Sequence, residues 1–402
     1  MTEQEGLNIA FVTEEYLPEN AGGAGISSKL IVTGLRNRGI SVDVFALSGD
    51  DATLTKASPS HFRVPSGRSF PGFPHVGTAL SSYRHTPAFD QYDLVHCYGP
   101  KPLPGIVCKS SIPIVATFVN FAWVCTNPIE YLKEGCPCYG LRAAIENARA
   151  GDYTRTNSVL STVTGRLGRH LANHADALTV QTEGMRQILT NCGYDHDAIA
   201  VIPNLLDTRF ADSPRTMEPE DARRLVFVGR LVERKGALDV VQAFAQLPDA
   251  VREGWSLRLY GGGPQRGAIE ELITEYDIDV AVDRVPYQEM PATVYGDAAA
   301  VVHASKYPEP FSRVWLEAMA TGTPLVCSEN PSSRSVLDGV AEFFDPSDIS
   351  TLVSALQKIL QNPSYRAELS RLGSHTAERY LASRVVPRYV ELYDNVTPSP
   401  GS

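Results

Sequence analysis

The sequence lacks an apolar run long enough to cross a bilayer, and it lacks a secretory signal. No apolar segment approaches the roughly 18 residues that a membrane-spanning helix needs. The first residues, MTEQEG, are polar and acidic, whereas a signal peptide begins with basic residues followed by an apolar stretch. We therefore expect a cytoplasmic protein, with a peripheral position at the cytosolic membrane face as the alternative.

An excess of positive charge is missing as well. The formal net charge is -10, with 46 acidic against 36 basic residues. A nucleic-acid-binding protein needs a basic surface, so this balance argues against a nucleic-acid partner. Several arginines within residues 142–169 indicate an ordinary solvated helix face, with a membrane surface or a phosphate-bearing acceptor as the alternative contact.

Cysteine is scarce, and its number, seven, is odd. Without a secretory signal, an odd set argues against a disulfide framework, so reduced thiols are expected. Cys125, Cys136 and Cys138 could hold a structural zinc ion if a fourth ligand such as Cys108 or His170 joined them. Their spacing is not a standard zinc signature, which favours buried or acceptor-loop thiols and no metal site.

Strands and helices alternate along the chain, as is typical of parallel α/β domains. At 402 residues the chain exceeds the size of one hydrophobic core, so two domains are expected. The polar segment 207–223 interrupts the alternation and predicts domains at residues 1–207 and 208–378, with a cleft between them. The predicted strands are residues 7–13, 41–47, 94–97, 112–118, 177–180, 198–202, 225–228, 256–260, 299–304 and 324–328.

The stretch at residues 298–326 (AAAVVHASKYPEPFSRVWLEAMATGTPLV) carries the strongest chemical signal. A buried strand ends near Ala304, a loop carries Glu309, and a short helix follows to Gly322. Glu309 is therefore expected at the carboxyl end of the sheet, where open α/β folds bind ligands. The first N–H groups of that helix, around Phe311 and Ser312, are suited to bind phosphate.

Glu317 is expected about one and a half turns inside this helix, where its carboxylate can accept hydrogen bonds from two ribose hydroxyls. Glu309 can accept one from a sugar hydroxyl. The alternative is an ion pair between Glu317 and Arg313 on a solvated helix face. Apolar neighbours such as Trp315 place Glu317 against buried surface, where a carboxylate needs a partner, and this favours the binding role.

The same stretch resembles the signature of retaining family-4 glycosyltransferases, in which seven residues separate two glutamates. The resemblance implies the GT-B fold, an α/β architecture of two Rossmann-like domains with a deep cleft between them. It implies an N-terminal acceptor-binding domain, a C-terminal domain that binds the sugar nucleotide, and a last helix near residues 379–395 that packs back on the first domain. It assigns the ribose to Glu317 and the donor sugar to Glu309. The family usually has glycine at the position of Ser312.

Residues 227–236 (FVGRLVERKG) resemble the G-R-x-x-x-x-K-G element of this family. Cleavage of a sugar–phosphate bond leaves negative charge on a nucleoside diphosphate, and two fixed cations can stabilise that charge where other transferases use a metal. The alternatives are a solvated lysine and a pair between Arg230 and Glu233. We predict Arg230, Lys235 and Glu309 as catalytic residues, with no cofactor and no metal required.

Two further segments of the C-terminal half are assigned to the nucleotide. The turn LYGGGP, with Gly262 and Pro264, follows a strand, and in similar enzymes this loop lies beside the nucleotide. The segment VPYQEM, with Pro286 and Tyr287, contacts the base in similar enzymes. A tyrosine in the core is the alternative for Tyr287.

The N-terminal half offers weaker candidates. Gly22 and Gly23 precede a helix, where a missing Cβ lets the backbone approach a diphosphate closely, and a tight turn is the alternative. His96 stands at a strand end where the family often has histidine, and its alternative is a structural histidine. We assign it to the acceptor side.

One departure from the family pattern bears on turnover. Residues 117–125 (TFVNFAWVC) resemble a family stretch in which histidine stands at the position of Val119. Valine cannot donate a hydrogen bond to the transferred sugar. Either Asn120 or another group supplies that contact, or catalysis is weakened.

The predicted reaction is transfer of a glycosyl unit from a nucleoside diphosphate sugar to a glycan or lipid-linked acceptor with retention at the anomeric carbon. Such a hexosyltransferase-type enzyme would serve polysaccharide or glycolipid biosynthesis, and its partners are the nucleotide sugar, the acceptor and, peripherally, a membrane. Two alternatives stay open. One is a sugar-nucleotide-binding regulatory protein with weakened catalysis, which Val119 favours, and the other is a sugar-nucleotide epimerase.

Overall fold

The computed structural model of the chain describes residues 6–16, 22–47, 55–67, 75–124, 155–213, 215, 217–218, 220–285 and 290–397. The chain divides into two compact units. Unit 1 comprises Met1–Leu205 with Ala382–Ser402, and unit 2 comprises Leu206–Leu381. Among the helices of these described ranges, none combines the length and the apolar composition needed to cross a membrane.

Unit 1 is built on a mostly parallel sheet. Its described strands are β1 (Asn8–Thr13), β2 (Ser41–Leu47), β3 (Thr55–Ser58), β4 (His61–Val64), β5 (Leu94–Tyr98), β6 (Ile114–Thr117), β7 (Ala177–Val180) and β8 (Ile199–Val201). They lie in the order β3-β4-β2-β1-β5-β6-β7-β8. The pair β3–β4 is antiparallel and the other pairs are parallel. The central strands β1 and β5 are almost wholly buried, as expected for parallel strands covered by helices on both faces.

The helices that cover this sheet alternate with its strands along the chain. They are α1 (Gly23–Arg36), α2 (Val76–His85), α3 (Leu103–Val107), α4 (Arg155–Ala172) and α5 (Glu183–Asn191). In α1 the side chains of Ile31, Val32 and Leu35 face the sheet and are buried. The helix ends at Arg36, and Gly39 follows with a positive φ of 84° that suits glycine.

Unit 2 has a wholly parallel sheet. Its strands are β9 (Arg224–Val228), β10 (Ser256–Tyr260), β11 (Val280–Asp283), β12 (Ala300–His303), β13 (Leu325–Ser328) and β14 (Ala341–Phe344), in the order β11-β10-β9-β12-β13-β14. Apolar side chains fill both faces, because one cluster joins Leu257 and Val302 to the helices on one side and another joins Val226 and Val301 to those on the other.

The helices of unit 2 complete a second Rossmann-like unit. They are α6 (Thr208–Ala211), α7 (Ala237–Ala245), α8 (Asp249–Arg252), α9 (Arg266–Tyr276), α10 (Thr293–Gly296), α11 (Arg313–Ala320), α12 (Pro331–Leu337), α13 (Ile349–Gln361) and α14 (Pro363–Ala377). The predicted α/β fold is confirmed, and each of the ten predicted strands overlaps a strand of the structure. Strands β3, β4, β11 and β14 were not predicted.

The last helix, α15 (Ala382–Val396), belongs to unit 1 and packs against α1. Gly34 allows this close approach, because a Cβ there would lie 2.6 Å from Val386 Cγ2. Val386, Tyr389 and Tyr393 of α15 are buried in the core of unit 1. The final helix is therefore part of the core formed by the first half of the chain.

Candidate active site

The candidate site of unit 2 lies where the order of its strands changes direction. From β9 the chain proceeds through β10 to β11 at one edge, and from β12 through β13 to β14 at the other. The loops after β9 and β12 therefore leave neighbouring strands at one carboxyl edge, where open α/β sheets bind ligands. These two loops carry Arg230, Lys235 and Glu309.

The loop after β9 is bound tightly to the glycine-rich turn after β10. Leu231 N donates to Gly262 O at 2.9 Å. A Cβ at Gly261 would lie 1.8 Å from Gly229 O, and one at Gly263 would lie 2.3 Å from Leu231 O. The glycines at 261 and 263 are therefore required by backbone contact.

The residues of this region that were predicted to bind the donor are exposed or partly exposed to solvent. Gly262 itself is partly exposed, and a Cβ there would meet only Arg284, at 3.7 Å. Pro264 is exposed. The side chain of Arg230 is also exposed, and no described residue, Glu233 included, forms an ion pair with it. Its guanidinium is available to a ligand.

Lys235 reaches the loop after β12 through a short 3-10 turn, Glu233–Lys235. Gly236 ends this turn with a φ of 69°, and a Cβ there would lie 2.1 Å from Ala304 O. Only glycine permits both the backbone conformation and the contact. The lysine ammonium also lies 5.7 Å from the centre of the Tyr307 ring.

Glu309 is the centre of a buried polar cluster. The side chain is 7% exposed, and Oε1 accepts from Lys235 Nζ at 2.5 Å. Ser305 Oγ donates to the same oxygen, and His303 Nε2 lies 3.2 Å from it. No described residue donates to Oε2, so this oxygen can receive a ligand hydroxyl.

The charge of Glu309 is set by these partners. Burial alone would raise the pKa of its carboxyl group, but Lys235 and His303 outweigh burial and hold that pKa well below its usual range. The group is therefore ionised at neutral pH and acts as a hydrogen-bond acceptor.

Glu317 is fully buried inside α11, where it is satisfied by protein groups. Tyr295 donates its hydroxyl to Oε2 at 2.5 Å, and Arg313 Nε lies 3.5 Å from Oε1. The pair with Arg313 considered from the sequence exists, but it is buried instead of solvated. A ribose contact would need one of these partners to give way.

At the start of α11, Phe311 packs against aromatic rings, and the side chain of the N-cap residue does not cap the first backbone N–H groups. Ser312 is the N-cap residue, and its side chain makes no capping hydrogen bond. Phe311 packs its ring against Trp315 and Tyr380, at 5.7 and 5.8 Å between ring centres. What these two residues can offer a phosphate is the backbone at the helix start.

Unit 1 has an ion pair at the equivalent position of its own sheet. Strand order there changes direction between β1 and β5, and Glu14 follows β1 while Lys101 follows β5. Lys101 Nζ lies 2.7 Å from Glu14 Oε2, and Asn120 Nδ2 donates to both carboxylate oxygens at 3.1 and 3.2 Å. Val119, beside Asn120, packs on the apolar core.

His96 lies inside the core of unit 1 and offers no exposed atom to an acceptor. Its Nδ1 lies 2.6 Å from the Tyr393 hydroxyl and its Nε2 lies 2.7 Å from Thr117 Oγ1. Burial lowers the pKa of His96 to about 3, so the ring is neutral. In place of the acceptor contact expected from sequence, the structure shows a histidine that joins α15 to the sheet.

Two family models match the chain and together span residues 21–375. The model described as Glycosyltransferase Family 4 matches residues 21–210, and the model described as Glycosyl transferases group 1 matches residues 208–375. The chain belongs to the group 1 glycosyltransferases.

Two curated relatives of this glycosyltransferase align with slightly more than half of its length. An exopolysaccharide phosphotransferase of Streptomyces coelicolor is 27% identical over 229 residues, which is 54% of this chain and 23% of that protein. The lipopolysaccharide core biosynthesis glycosyltransferase LpsD of Rhizobium meliloti is 29% identical over 244 residues, which is 57% of this chain and 68% of that protein.

Solved structures share the whole fold. Sucrose-phosphate synthase from Thermosynechococcus elongatus has a TM-score of 0.72 at 21% identity and covers 96% of this chain and 98% of its own. Anabaena HepE, solved in complex with UDP-glucose, has a TM-score of 0.67 at 16% identity and covers 97% and 100%. The glycosyltransferase therefore has the GT-B fold.

The remaining predicted residues of the glycosyltransferase have simple placements. Gly22 is the N-cap of α1 and Gly23 its first residue, and both are exposed. A Cβ at Gly22 would lie 2.5 Å from Glu15 Oε2. Pro286 and Tyr287 lie outside the described residues, as do Cys125, Cys136 and Cys138.

The cysteines require one correction. Cys97, Cys108 and Cys327 are free thiols, but Cys192 is disulfide-bonded, so the expectation of reduced thiols is wrong for Cys192. An odd number of cysteines does not exclude a single bridge, because pairing depends on distance in space. Within the described ranges, no group of three or more His, Cys, Asp or Glu side chains is arranged to hold a metal.

Sequence reasoning missed several polar residues of the two sites. In unit 2 these are His303, Ser305 and Tyr295, and in unit 1 they are Glu14 and Lys101. His303 carried a usable signal, because it is a polar residue at the carboxyl end of an otherwise apolar strand. Tyr295 carried none, because its contact with Glu317 depends on the packing of α10 against α11.

Proposed function

We propose that this glycosyltransferase moves a sugar from a nucleoside diphosphate sugar to a glycan or lipid-linked acceptor with retention of the anomeric configuration. The observation that carries the proposal is the buried Lys235–Glu309 pair at the change of strand order in unit 2. It places a cation and an ionised acceptor side by side, as a diphosphate joined to a polyhydroxylated sugar requires.

In the proposed site, Arg230 and Lys235 contact the diphosphate and Glu309 Oε2 accepts a hydroxyl of the donor sugar. The bond from the anomeric carbon to the phosphate oxygen breaks, and the acceptor oxygen forms the new bond on the same face. The acceptor proton passes to the leaving phosphate, whose growing charge the two cations stabilise. No metal and no cofactor is assigned a role, and Glu317 is assigned to the ribose.

The test is to incubate the protein with UDP-, GDP- and ADP-sugars and a panel of glycan and lipid-linked acceptors, with and without EDTA. We expect one donor to be consumed equally with and without EDTA, and the product to keep the donor's anomeric configuration by NMR. An inverted product would contradict retention. Binding with neither transfer nor donor hydrolysis would contradict the enzyme activity.

A second candidate function is sugar-nucleotide binding without turnover, and Val119 favours it. Its side chain packs on the core of unit 1 and cannot donate a hydrogen bond. Val119→His tests this candidate directly. If the wild type only binds donor and the variant hydrolyses or transfers it, the second candidate is correct. Isomerised donor in the absence of any acceptor would instead indicate an epimerase.

The acceptor is assigned to unit 1 and to the ion pair of Glu14 and Lys101, which Asn120 completes. The carboxyl edge of its sheet is the equivalent of the donor site in unit 2. The expected result for Lys101→Met is slower transfer with donor hydrolysis unchanged. A parallel fall in hydrolysis would contradict this assignment.

We also propose peripheral contact with an acidic membrane, which would bring a lipid-linked acceptor within reach. Leu80 and Tyr83 on α2 and Val163 and Leu167 on α4 are 48–59% exposed. Neither helix contains an acidic residue, although the whole chain is acidic. Apolar side chains among basic ones suit an anionic lipid surface.

Vesicle sedimentation tests this contact. The protein should bind vesicles with phosphatidylglycerol more strongly than phosphatidylcholine vesicles, and Leu167→Ser should reduce the binding. Met217→Ser is the matched control, because Met217 is a comparably exposed apolar residue of unit 2. Equal binding by both variants would contradict a role for α4.

A further inference from the structure

His303 is a buried histidine beside Glu309 that the proposed function leaves without a role. It is the last residue of β12 and is 4% exposed. Its ring packs edge-on against Trp315, with 5.4 Å between ring centres. Nδ1 lies 3.7 Å from Cys327 Sγ, and Nε2 lies 3.2 Å from Glu309 Oε1. Packing therefore fixes which nitrogen faces the carboxylate.

The neighbours of His303 also determine where its proton sits. Burial raises the pKa of the Cys327 thiol, which therefore stays protonated beside Nδ1. A carboxylate beside Nε2 needs a donor. Nε2 is buried and has no hydrogen-bond partner among the residues that the structure describes, although Glu309 Oε1 lies 3.2 Å away. A proton on Nε2 therefore allows the imidazole to donate to Glu309 when the carboxylate adjusts.

When a donor binds, Glu309 and the diphosphate both attract the ammonium of Lys235. In the structure it is the closest cation to Glu309, at 2.5 Å. A nucleoside diphosphate brings further negative charge to the same lysine, whose flexible stem allows the ammonium to move. The lysine side chain is 20% exposed, whereas that of Glu309 is 7% exposed, so the lysine is the partner that can turn outward.

Glu309 would then depend on its other contacts. A buried carboxylate that loses its cation is strongly destabilised unless hydrogen bonds remain. Ser305 and His303 are the described residues that remain beside Oε1. Of these two, His303 sits on the rigid strand β12, while Ser305 is in the loop that follows it.

We propose that His303 is a positioning residue that holds Glu309 through Nε2 after a nucleoside diphosphate has drawn Lys235 away. The inference rests on the proposed function, which assigns Glu309 to the donor sugar. His303 then supports recognition of the sugar and leaves recognition of the diphosphate to Arg230 and Lys235.

The test compares the affinities for UDP-glucose and UDP by calorimetry, and likewise for GDP-mannose with GDP and ADP-glucose with ADP. For the pair that the wild type binds, His303→Leu should weaken the sugar nucleotide about tenfold, the effect of one hydrogen bond to a charged group. The bare diphosphate should change less than about twofold. His303→Gln keeps an N–H donor and should restore most of the loss, and the exposed His375→Leu is the control.

The outcomes separate the two hypotheses. If the wild type binds none of the sugar nucleotides, the proposed function is wrong and the role of His303 is refuted with it. If the wild type binds one, and His303→Leu weakens both ligands equally or neither, only the role of His303 is refuted. A glutamine variant that behaves like the leucine variant also refutes it.

A second measurement needs no variant that might misfold. In wild-type protein with ¹⁵N-labelled histidine, His303 should show a proton on Nε2. Its Nε2 resonance should shift when UDP, or whichever diphosphate the protein binds, displaces Lys235. A resonance that stays unchanged at saturating diphosphate refutes the proposal.

Discussion

At the level of single residues, the carboxylate of Glu309 is stabilised by a lysine cation and a serine hydroxyl. It is nearly buried, and the ammonium of Lys235 is its closest cation, 2.5 Å from Oε1, beside the hydroxyl of Ser305. A second lysine nearby, Lys306, pairs with Asp239 at 2.6 Å, but there both side chains are about one-third exposed. The two lysines therefore allow a direct comparison between a buried and a solvated ion pair.

We expect Lys235→Met to lower the free energy of unfolding of unit 2 by about 3 kcal/mol, because it leaves a buried carboxylate without its cation. Lys306→Met should cost less than about 1 kcal/mol, since water screens its pair. Urea denaturation followed by circular dichroism measures both. Equal losses of unfolding free energy would show that burial does not make the Lys235 pair more important for stability than the Lys306 pair.

The low pKa of Glu309 also predicts acid sensitivity. Its folded pKa lies below the unfolded value of about 4.3, so its stabilising effect is present above that pH and is lost as the pH falls further. Glu309→Gln should flatten the acid limb of the stability curve by up to about 1.4 kcal/mol per pH unit. An unchanged slope between wild type and variant would contradict the shifted pKa.

The sequence predicted part of this cluster and could not predict the rest. Lys235 and Glu309 stood out because each lies in a motif that matches a family pattern. Their contact joins residues 74 positions apart, and no local pattern shows it. His303 and Tyr295 became visible only through packing, because a polar side chain on a buried element reveals its partner only in three dimensions.

At the level of secondary structure elements, two glycines with similar backbone angles separate conformation from packing. Gly236 has a φ of 69° and Gly254 a φ of 76°. A Cβ at Gly236 would lie 2.1 Å from Ala304 O, whereas a Cβ at Gly254 would meet nothing within 4 Å. Only the first glycine holds its turn against the loop that follows β12.

Gly254→Ala should therefore cost about 1 kcal/mol of unfolding free energy, the cost of a left-handed alanine. Gly236→Ala should cost more, and it should also weaken donor binding because the turn that carries Lys235 must move. Thermal unfolding and calorimetry with the donor measure the two effects. Identical behaviour of the two variants would show that the contact with Ala304 does not position Lys235.

The strands that the sequence did not predict have a common physical cause. Strands β3, β11 and β14 lie at sheet edges, and β4 is paired with one of them. In β11 (VAVD) a single residue is buried, and in β14 (AEFF) two are. A half-exposed strand of four residues has too few apolar positions to be distinguished from a loop. The buried central strands carry a more continuous apolar run and were predicted, as was the short edge strand β8.

Helix α15 is joined to the sheet of unit 1 by a buried hydrogen bond as well as by apolar packing. Tyr393→Phe removes the hydroxyl beside His96 Nδ1 and leaves that nitrogen unpaired. We expect a loss of about 1–3 kcal/mol in unfolding free energy, the usual cost of an unsatisfied buried polar group. Tyr276→Phe is the control, because Tyr276 is 48% exposed. A similar loss in both variants would contradict the role assigned to this hydrogen bond.

At the level of the whole molecule, the two units have separate cores, but unit 1 is formed from two segments of the chain that lie on either side of unit 2 in the sequence. Unit 1 takes its last helix from beyond unit 2. A chain that ends at Leu381 would lack Val385, Val386, Tyr389 and Tyr393, all of which are buried in the core of unit 1. Unit 2 would keep every element from β9 to α14.

Hydrogen exchange of this shortened chain tests how independent the units are. The amides of β1, β2 and β5 should lose protection, because α15 covers their core, while those of β9 to β14 should keep it. The full chain under the same conditions is the reference. Comparable loss of protection in both sheets would show that unit 2 depends on α15.

The contribution of α15 to unit 1 also has a consequence for synthesis of the protein on the ribosome. Tyr393 reaches His96 across 297 positions of sequence, so the first unit made is the last to be completed. At typical rates of about 5–20 residues per second, translation of unit 2 leaves the surface that α15 will cover exposed for roughly 10–35 s. Unit 2 can fold during that interval. A chaperone should therefore bind the nascent unit 1 until α15 has been made and closes its core.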